Sequence, residues 1–250
     1  MILIKTEILY GIHPVYEALS AGRRKIYELF ISQGILNPRI DPIARTAKSS
    51  AIPIKKIPLG QIQSISGKDA HQGIAARVSP YPILTLTEII NEAATNRQQK
   101  PLYLLIDQVV DPHNLGALIR TALCTGVSGV IIPKDRSATP SPVVSKTSAG
   151  ALEHIRLAQV VNMVHAISDL KKNGAWIIGL DKNGNYSLFK SDLTGSTAIV
   201  IGGEEKGIRP LVQKNCDFLA HIPQLGPVSS LNASVAGGVA LYEAFRQRNA

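Results

Sequence analysis

From Tyr10 the chain reads YGIHPVYEAL, where Val15, Ala18 and Leu19 recur at helical spacing behind Pro14, a residue suited to a first helical turn. Three apolar runs of strand length follow, IYELFIS, IPIKKI and GIAARVS, with polar or helical stretches between them. This pattern predicts a small α/β domain over residues 1–79. Residues 80–100 carry Pro80, Pro82 and the polar tract NRQQK around a short helical pattern, and are expected to link two domains. Over residues 101–250 short buried runs alternate with helical stretches: LYLLID, VSGVIIP, AWIIGLD, STAIVIGG and FLAHIP. Such alternation predicts a parallel sheet covered by helices. Ligands of open parallel sheets sit beyond the C-terminal ends of the strands, which directs attention to the loops after Ile106, Leu180, Ile201 and Ile222.

Composition narrows the class. The 250 residues are 45% hydrophobic and 18% charged, with no apolar run near the ~20 residues of a membrane span and no signal-peptide pattern at the N-terminus, so a cytoplasmic globular protein is expected. The two cysteines, Cys124 and Cys216, lack metal-ligand spacing and read as reduced core thiols, with no metal site. Net charge is +9, and +6 of it falls in residues 1–79, as expected if that segment meets a polyanion. A basic surface kept for solubility is the plainer alternative.

Three stretches carry candidate chemistry. In DPHNLGALIRTALCTG, Asn114 suits an N-cap and Leu115, Leu118, Ile119, Ala122 and Leu123 form one apolar stripe. Arg120 falls roughly 130° from the centre of that stripe, on a side shared with Gly116 and Cys124. It is either a solvated helix arginine or a cation standing over room for a ligand. In IVIGGEEKGIRP, glycines directly after a buried strand allow close approach of a ligand, and Glu204 is a loop acid or an acceptor for a ligand amine or hydroxyl. The pattern matches neither a Walker loop nor a dinucleotide fingerprint.

In IPQLGPVSSLNASVAGGVALYEAF, capping accounts for one of Ser229, Ser230, Asn232 and Ser234 but not for all four. Gly237 and Gly238 sit mid-helix at a cost of about 1 kcal/mol each. Ala233, Gly237, Ala240 and Ala244 make a stripe nearly free of side-chain bulk, which fits tight packing within one subunit or close approach by a second.

In this order, behind a basic α/β module, the three stretches resemble the TrmH/SpoU family of SPOUT methyltransferases, nearest to the branch that methylates a guanosine 2′-hydroxyl in 23S rRNA. VIIPKDRSA and the tail LYEAFRQR are also similar to that branch, and YGIHPVYEAL and HQGIAARV resemble its N-terminal substrate-binding domain, of ribosomal L30e-like fold. The resemblance implies an RNA-binding domain followed by a SPOUT domain with a deep trefoil knot. It also implies a homodimer that binds S-adenosylmethionine (AdoMet) in the knot and acts on RNA.

Carried over residue by residue, Gly202, Ile222 and Leu231 match positions that hold AdoMet through backbone groups, and Leu180 lies in the loop near the adenine. Asn114, Arg120, Glu204, Ser230 and Asn232 match the catalytic set. Methyl transfer to a ribose oxygen needs alignment and a nucleophilic oxygen, not a metal. A guanidinium is rarely neutral, so Arg120 is expected to stabilise the developing alkoxide or bind the adjacent phosphate, with the proton passing to phosphate or water. A tRNA target, and a non-catalytic RNA-binding assembly protein of the same fold, are the rival readings.

Overall fold

The computed structural model describes residues 5–34, 37–67, 70–95, 99–225 and 230–250. Along the chain run β1 (Glu7–Tyr10), α1 (Ile12–Ala21), β2 (Ile26–Ser32), α2 (Ile40–Ser49), β3 (Ile54–Ile57), α3 (Leu59–Ser66) and β4 (Ile74–Val78). Then come α4 (Leu86–Thr95), β5 (Leu102–Asp107), α5 (Pro112–Cys124), β6 (Gly129–Pro133), α6 (Pro142–Thr147), β7 (Leu157–Val160) and α7 (Met163–Lys172). β8 (Trp176–Leu180), β9 (Tyr186–Ser187), β10 (Thr197–Gly202), α8 (Pro210–Asn215), β11 (Phe218–His221) and α9 (Ala233–Arg248) complete it.

The chain forms two compact units, one of Met1–Pro82 with Pro140–His154, the other of Ile83–Thr139 with Ile155–Ala250. In the first, a mixed sheet of order β1-β4-β2-β3 has helices on both faces. Leu9, Leu29, Ile31, Ile74 and Val78 pack with Val15 of α1 and Ile43 of α2, while Tyr10, Phe30 and Ala75 pack with Ile62 of α3.

The division differs from three consecutive stretches at 1–79, 80–100 and 101–250. Pro140–His154 packs into the first unit because its polar groups find partners there. Glu153 is almost fully buried, and its Oε1 accepts from Ser145 Oγ at 2.8 Å and from the Arg24 guanidinium, which also binds Glu7 and donates through Nε to the Ser79 carbonyl at 2.9 Å. Burial raises the Glu153 carboxyl above the usual carboxylate range, opposed by the Arg24 charge. His154 Nε2 lies 2.7 Å from Glu17 Oε2.

Removing one member of such a buried pair leaves the other uncompensated. Arg24→Ala is expected to destabilise the protein by about 3–5 kcal/mol, and Glu153→Gln in the same chain to recover part of the loss. Urea unfolding of the full-length variants followed by circular dichroism checks both values.

Residues 83–95 are likewise not a free linker. Thr85 and Glu88 form a capping box at the start of α4: Thr85 N donates to Glu88 Oε2 at 2.7 Å and Glu88 N to Thr85 Oγ1 at 3.2 Å. Ile89 and Ile90 of that helix then enter the core of the second unit.

That unit is built on a seven-stranded sheet of order β7-β6-β5-β10-β8-β11-β9, parallel at every pairing. One face packs Tyr103, Leu105, Ile177, Ala198 and Val200 with Ile167 and Leu170 of α7 and Val212 of α8. The opposite face meets α5 and α9. A Cβ at Gly237 would overlap Leu118 of α5 and Ile201 of β10, both buried, so the weak centre of α9 is a point of close approach within its own subunit. Gly238 faces open space. Cys216 is a half-buried thiol packed against the core, pushed up to about 12 by burial, but Cys124 is exposed, because it ends α5 off the buried stripe. Among the described residues no helix is long and apolar enough to cross a membrane.

Candidate active site

The sheet order sets the C-terminal ends of β5, β10, β8 and β11 side by side, and the sequence puts its unusual residues there. β10 ends in Gly202, where a Cβ would fall on the backbone of Gly207 and Ile208; a Cβ at Gly203 would meet the carbonyl of Gln108. The chain therefore folds back on itself in a turn closed by Gly207 N donating to Gly203 O at 2.9 Å, with Gly207 at φ +63°. Glu204 stands exposed on that turn and accepts a hydrogen bond from Asn114 Nδ2 on the first turn of α5. The first and second sequence constellations thus meet.

A buried clasp fixes the turn. Asp107, fully buried at the end of β5, accepts from Arg209 N at 3.0 Å, Nε at 2.9 Å and the terminal guanidinium nitrogen at 2.6 Å. A bidentate pair of this kind sets orientation as well as attraction. Sequence reasoning passed over both residues, although an acid closing an otherwise apolar strand and an arginine closing the glycine loop were visible.

Leu180, Gly202, Glu204, Ile222, Ser230 and Leu231 line one cavity of about 370 Å³, joined by Asp181, Lys182, Asn183, Lys206, Gln224 and Ala236. Asn232 is the N-cap of α9, its side chain accepting from Ser234 N at 2.8 Å and Val235 N at 3.4 Å. Ser229 lies outside the described residues. On α5 the N-cap is Asp111 and not Asn114: Pro112 takes the first helical position and Asp111 Oδ1 accepts from His113 N at 2.9 Å. Asn114 is thereby released to bind Glu204. Arg120 is exposed two turns along α5 and does not line the cavity, while Gly116, expected beneath it as open room, is buried. Among the described residues no group of His, Cys, Asp and Glu could hold a metal ion.

The SpoU rRNA methylase family matches residues 101–242, and the substrate-binding family of RNA 2′-O-ribose methyltransferases matches residues 8–84. The chain belongs to the SpoU methylase family. It is 39% identical over 246 residues to a 23S rRNA (guanosine-2′-O-)-methyltransferase of Pseudomonas putida, covering 97% of each chain. With the enzyme of that name from Shewanella oneidensis it shares 40% over 244 residues, 98% of each. Among solved structures it resembles the SpoU methyltransferase AviRb of Streptomyces viridochromogenes in complex with AdoMet, with a TM-score of 0.82, 25% identity and coverage of 97% of this chain and 90% of that one. An AdoMet-bound rRNA methyltransferase of Sinorhizobium meliloti gives 0.80 at 25% identity, over 96% and 87%. The matched SpoU segment spans residues 140–154, so the family boundary and the boundary between compact units do not coincide.

Proposed function

We propose that the protein transfers a methyl group from AdoMet to the 2′-hydroxyl of a guanosine ribose in 23S rRNA. The observation that carries this reading is the cavity at the glycine turn, with the Asn114–Glu204 pair at its edge, in a chain that matches the 23S rRNA relatives over 97–98% of their length. AdoMet fits the residues present. Gly202 lets the chain's own turn at Gly207 and Ile208 lie directly against the strand end, and the strand ends around it offer polar and apolar lining to a nucleoside-sized molecule. When bound, AdoMet supplies a methyl group on a positively charged sulfur.

The chain's own residues then have separable tasks. Gly202, Ile222 and Leu231 would hold the cofactor through backbone groups, with Leu180 toward its adenine. Glu204 holds Asn114, and Asn114 with Ser230 orients the ribose. Asn232 keeps the start of α9 in place. Arg120, exposed and always charged, stabilises the 2′-alkoxide as its proton leaves to phosphate or water. The basic first unit grips the RNA, and the second closes the deep trefoil knot implied by its resemblance to SPOUT enzymes. An rRNA substrate supports a cytoplasmic location.

A homodimer is supported by the outer face of α9. Its inner stripe of Ala233, Gly237, Ala240 and Ala244 is buried, while Val235, Tyr242 and Phe245 are 50%, 54% and 40% exposed, joined by Leu123 of α5 at 38%. Such an outer apolar face, with Gly238 open beside it, suits a second copy of the same helix pair. Tyr242→Glu with Phe245→Glu should convert the dimer to monomer in sedimentation velocity, and a monomeric wild type would refute the interface.

Mapping 2′-O-methyl sites in 23S rRNA from cells with and without the protein tests the reaction. Loss of one methylated guanosine, restored by purified protein with AdoMet, is the expected result. Loss of a tRNA methyl instead would move the substrate.

A further inference from the structure

The chain's single tryptophan opens β8 and is 62% exposed, an unusual position for a large apolar side chain in a strand otherwise largely buried. It lines a second cavity of about 700 Å³ with Tyr186 of β9, 59% exposed, and Phe218 of β11. Tyr186 and Phe218 stand edge to face, centroids 5.4 Å apart at 69°, so the cavity offers ring faces in more than one orientation. This cavity shares no lining residue with the one at the glycine turn.

The polar lining selects the occupant. Lys190 is exposed at the rim. The one acid, Asp217, already has its partners, accepting from Lys171 Nζ at 2.8 Å and Ile177 N at 2.8 Å. His221 Nδ1 lies 2.8 Å from the Gly184 carbonyl, which only accepts, so Nδ1 carries the proton and Nε2 is an acceptor in the neutral ring. Exposed rings, a rim cation and short-range donors and acceptors are what a nucleotide needs for stacking, phosphate contact and edge pairing. An apolar protein segment would use the rings but leave Lys190 without a counter-charge.

We infer that the Trp176–Tyr186–Phe218 cavity is a nucleotide-binding site that stacks an unpaired base of the substrate RNA at a position other than the methylated ribose. The inference rests on the reading that RNA is the substrate. It assigns to the methyltransferase unit a share of RNA recognition beyond that of the basic first unit.

Trp176 reports on its own site. Titrating the full-length protein with decauridylate and with a 23S rRNA fragment should quench tryptophan emission saturably, at the concentrations where fluorescence anisotropy of labelled RNA shows binding. Tyr186→Ala, which keeps the reporter, and Trp176→Ala should each weaken RNA binding about tenfold and leave AdoMet affinity unchanged. Lys190→Ala should weaken it less and lower the salt slope by about one. RNA bound and methylated normally with unchanged emission would overturn the site alone. A wild type that neither binds nor methylates RNA would overturn the substrate reading together with it. A shift of Trp176→Ala from dimer to monomer, with RNA affinity retained, would assign the cavity to a second copy of the chain and also refute the proposal.

Discussion

Arg120→Ala is expected to lower single-turnover methyl transfer by on the order of 10²-fold or more while AdoMet affinity and thermal stability stay near wild type. The structure makes the separation sharp. Arg120 is exposed, lies off the buried stripe of α5 and does not line the cavity at the glycine turn, so truncating it removes neither core packing nor lining. Arg120→Lys then distinguishes charge from shape. If a planar fork must reach alkoxide and phosphate together, lysine fails; if a positive charge nearby suffices, lysine recovers much of the rate. A wild-type rate in Arg120→Ala, measured with AdoMet saturating, would remove the residue from the mechanism.

Gly202→Ala should reduce AdoMet affinity by on the order of 10²-fold, equivalent to about 2.7 kcal/mol. The added methyl would fall on the backbone of Gly207 and Ile208, which cannot rotate away as a side-chain tip can. Ile208 is buried, and the next residue is clasped to Asp107, so the whole turn must shift and take Glu204 away from Asn114. Gly195→Ala is the control, since a Cβ there meets nothing within 4 Å. Calorimetric titration of both variants with AdoMet decides the matter, and equal affinities would show that the turn is not part of the cofactor site.

The long buried strands were legible because each is a continuous apolar run, and their alternation with helices predicted the parallel sheet that β5, β6, β8, β10 and β11 form. β7 and β9 were not, since LAQV and YS are too short and too polar to show a period. Pro80, Pro82 and the polar tract made residues 80–100 read as a linker, although TLTE was a capping-box signal for α4. The glycine turn and the start of α9 were legible through chemistry: residues costly to a strand end or helix imply close contact. What pattern alone does not carry is pairing across long separations. Nothing local says that Asp107 meets Arg209, that Asn114 reaches Glu204, or that Glu153 pairs with Arg24, whereas Asp111 directly before Pro112 was a local N-cap signal for α5.

The place of Pro140–His154 in the first unit has a consequence for synthesis. The ribosome makes residues 83–139, all belonging to the second unit, before it supplies the segment that completes the first. At ~5–20 residues per second the sheet of β1 to β4 waits roughly 4–14 s with Arg24 lacking Glu153. The N-terminal unit is therefore expected to mature late, despite being translated first. Arrested nascent chains ending shortly before residue 140 should expose it to protease, and chains long enough for His154 to clear the ribosomal tunnel should protect it.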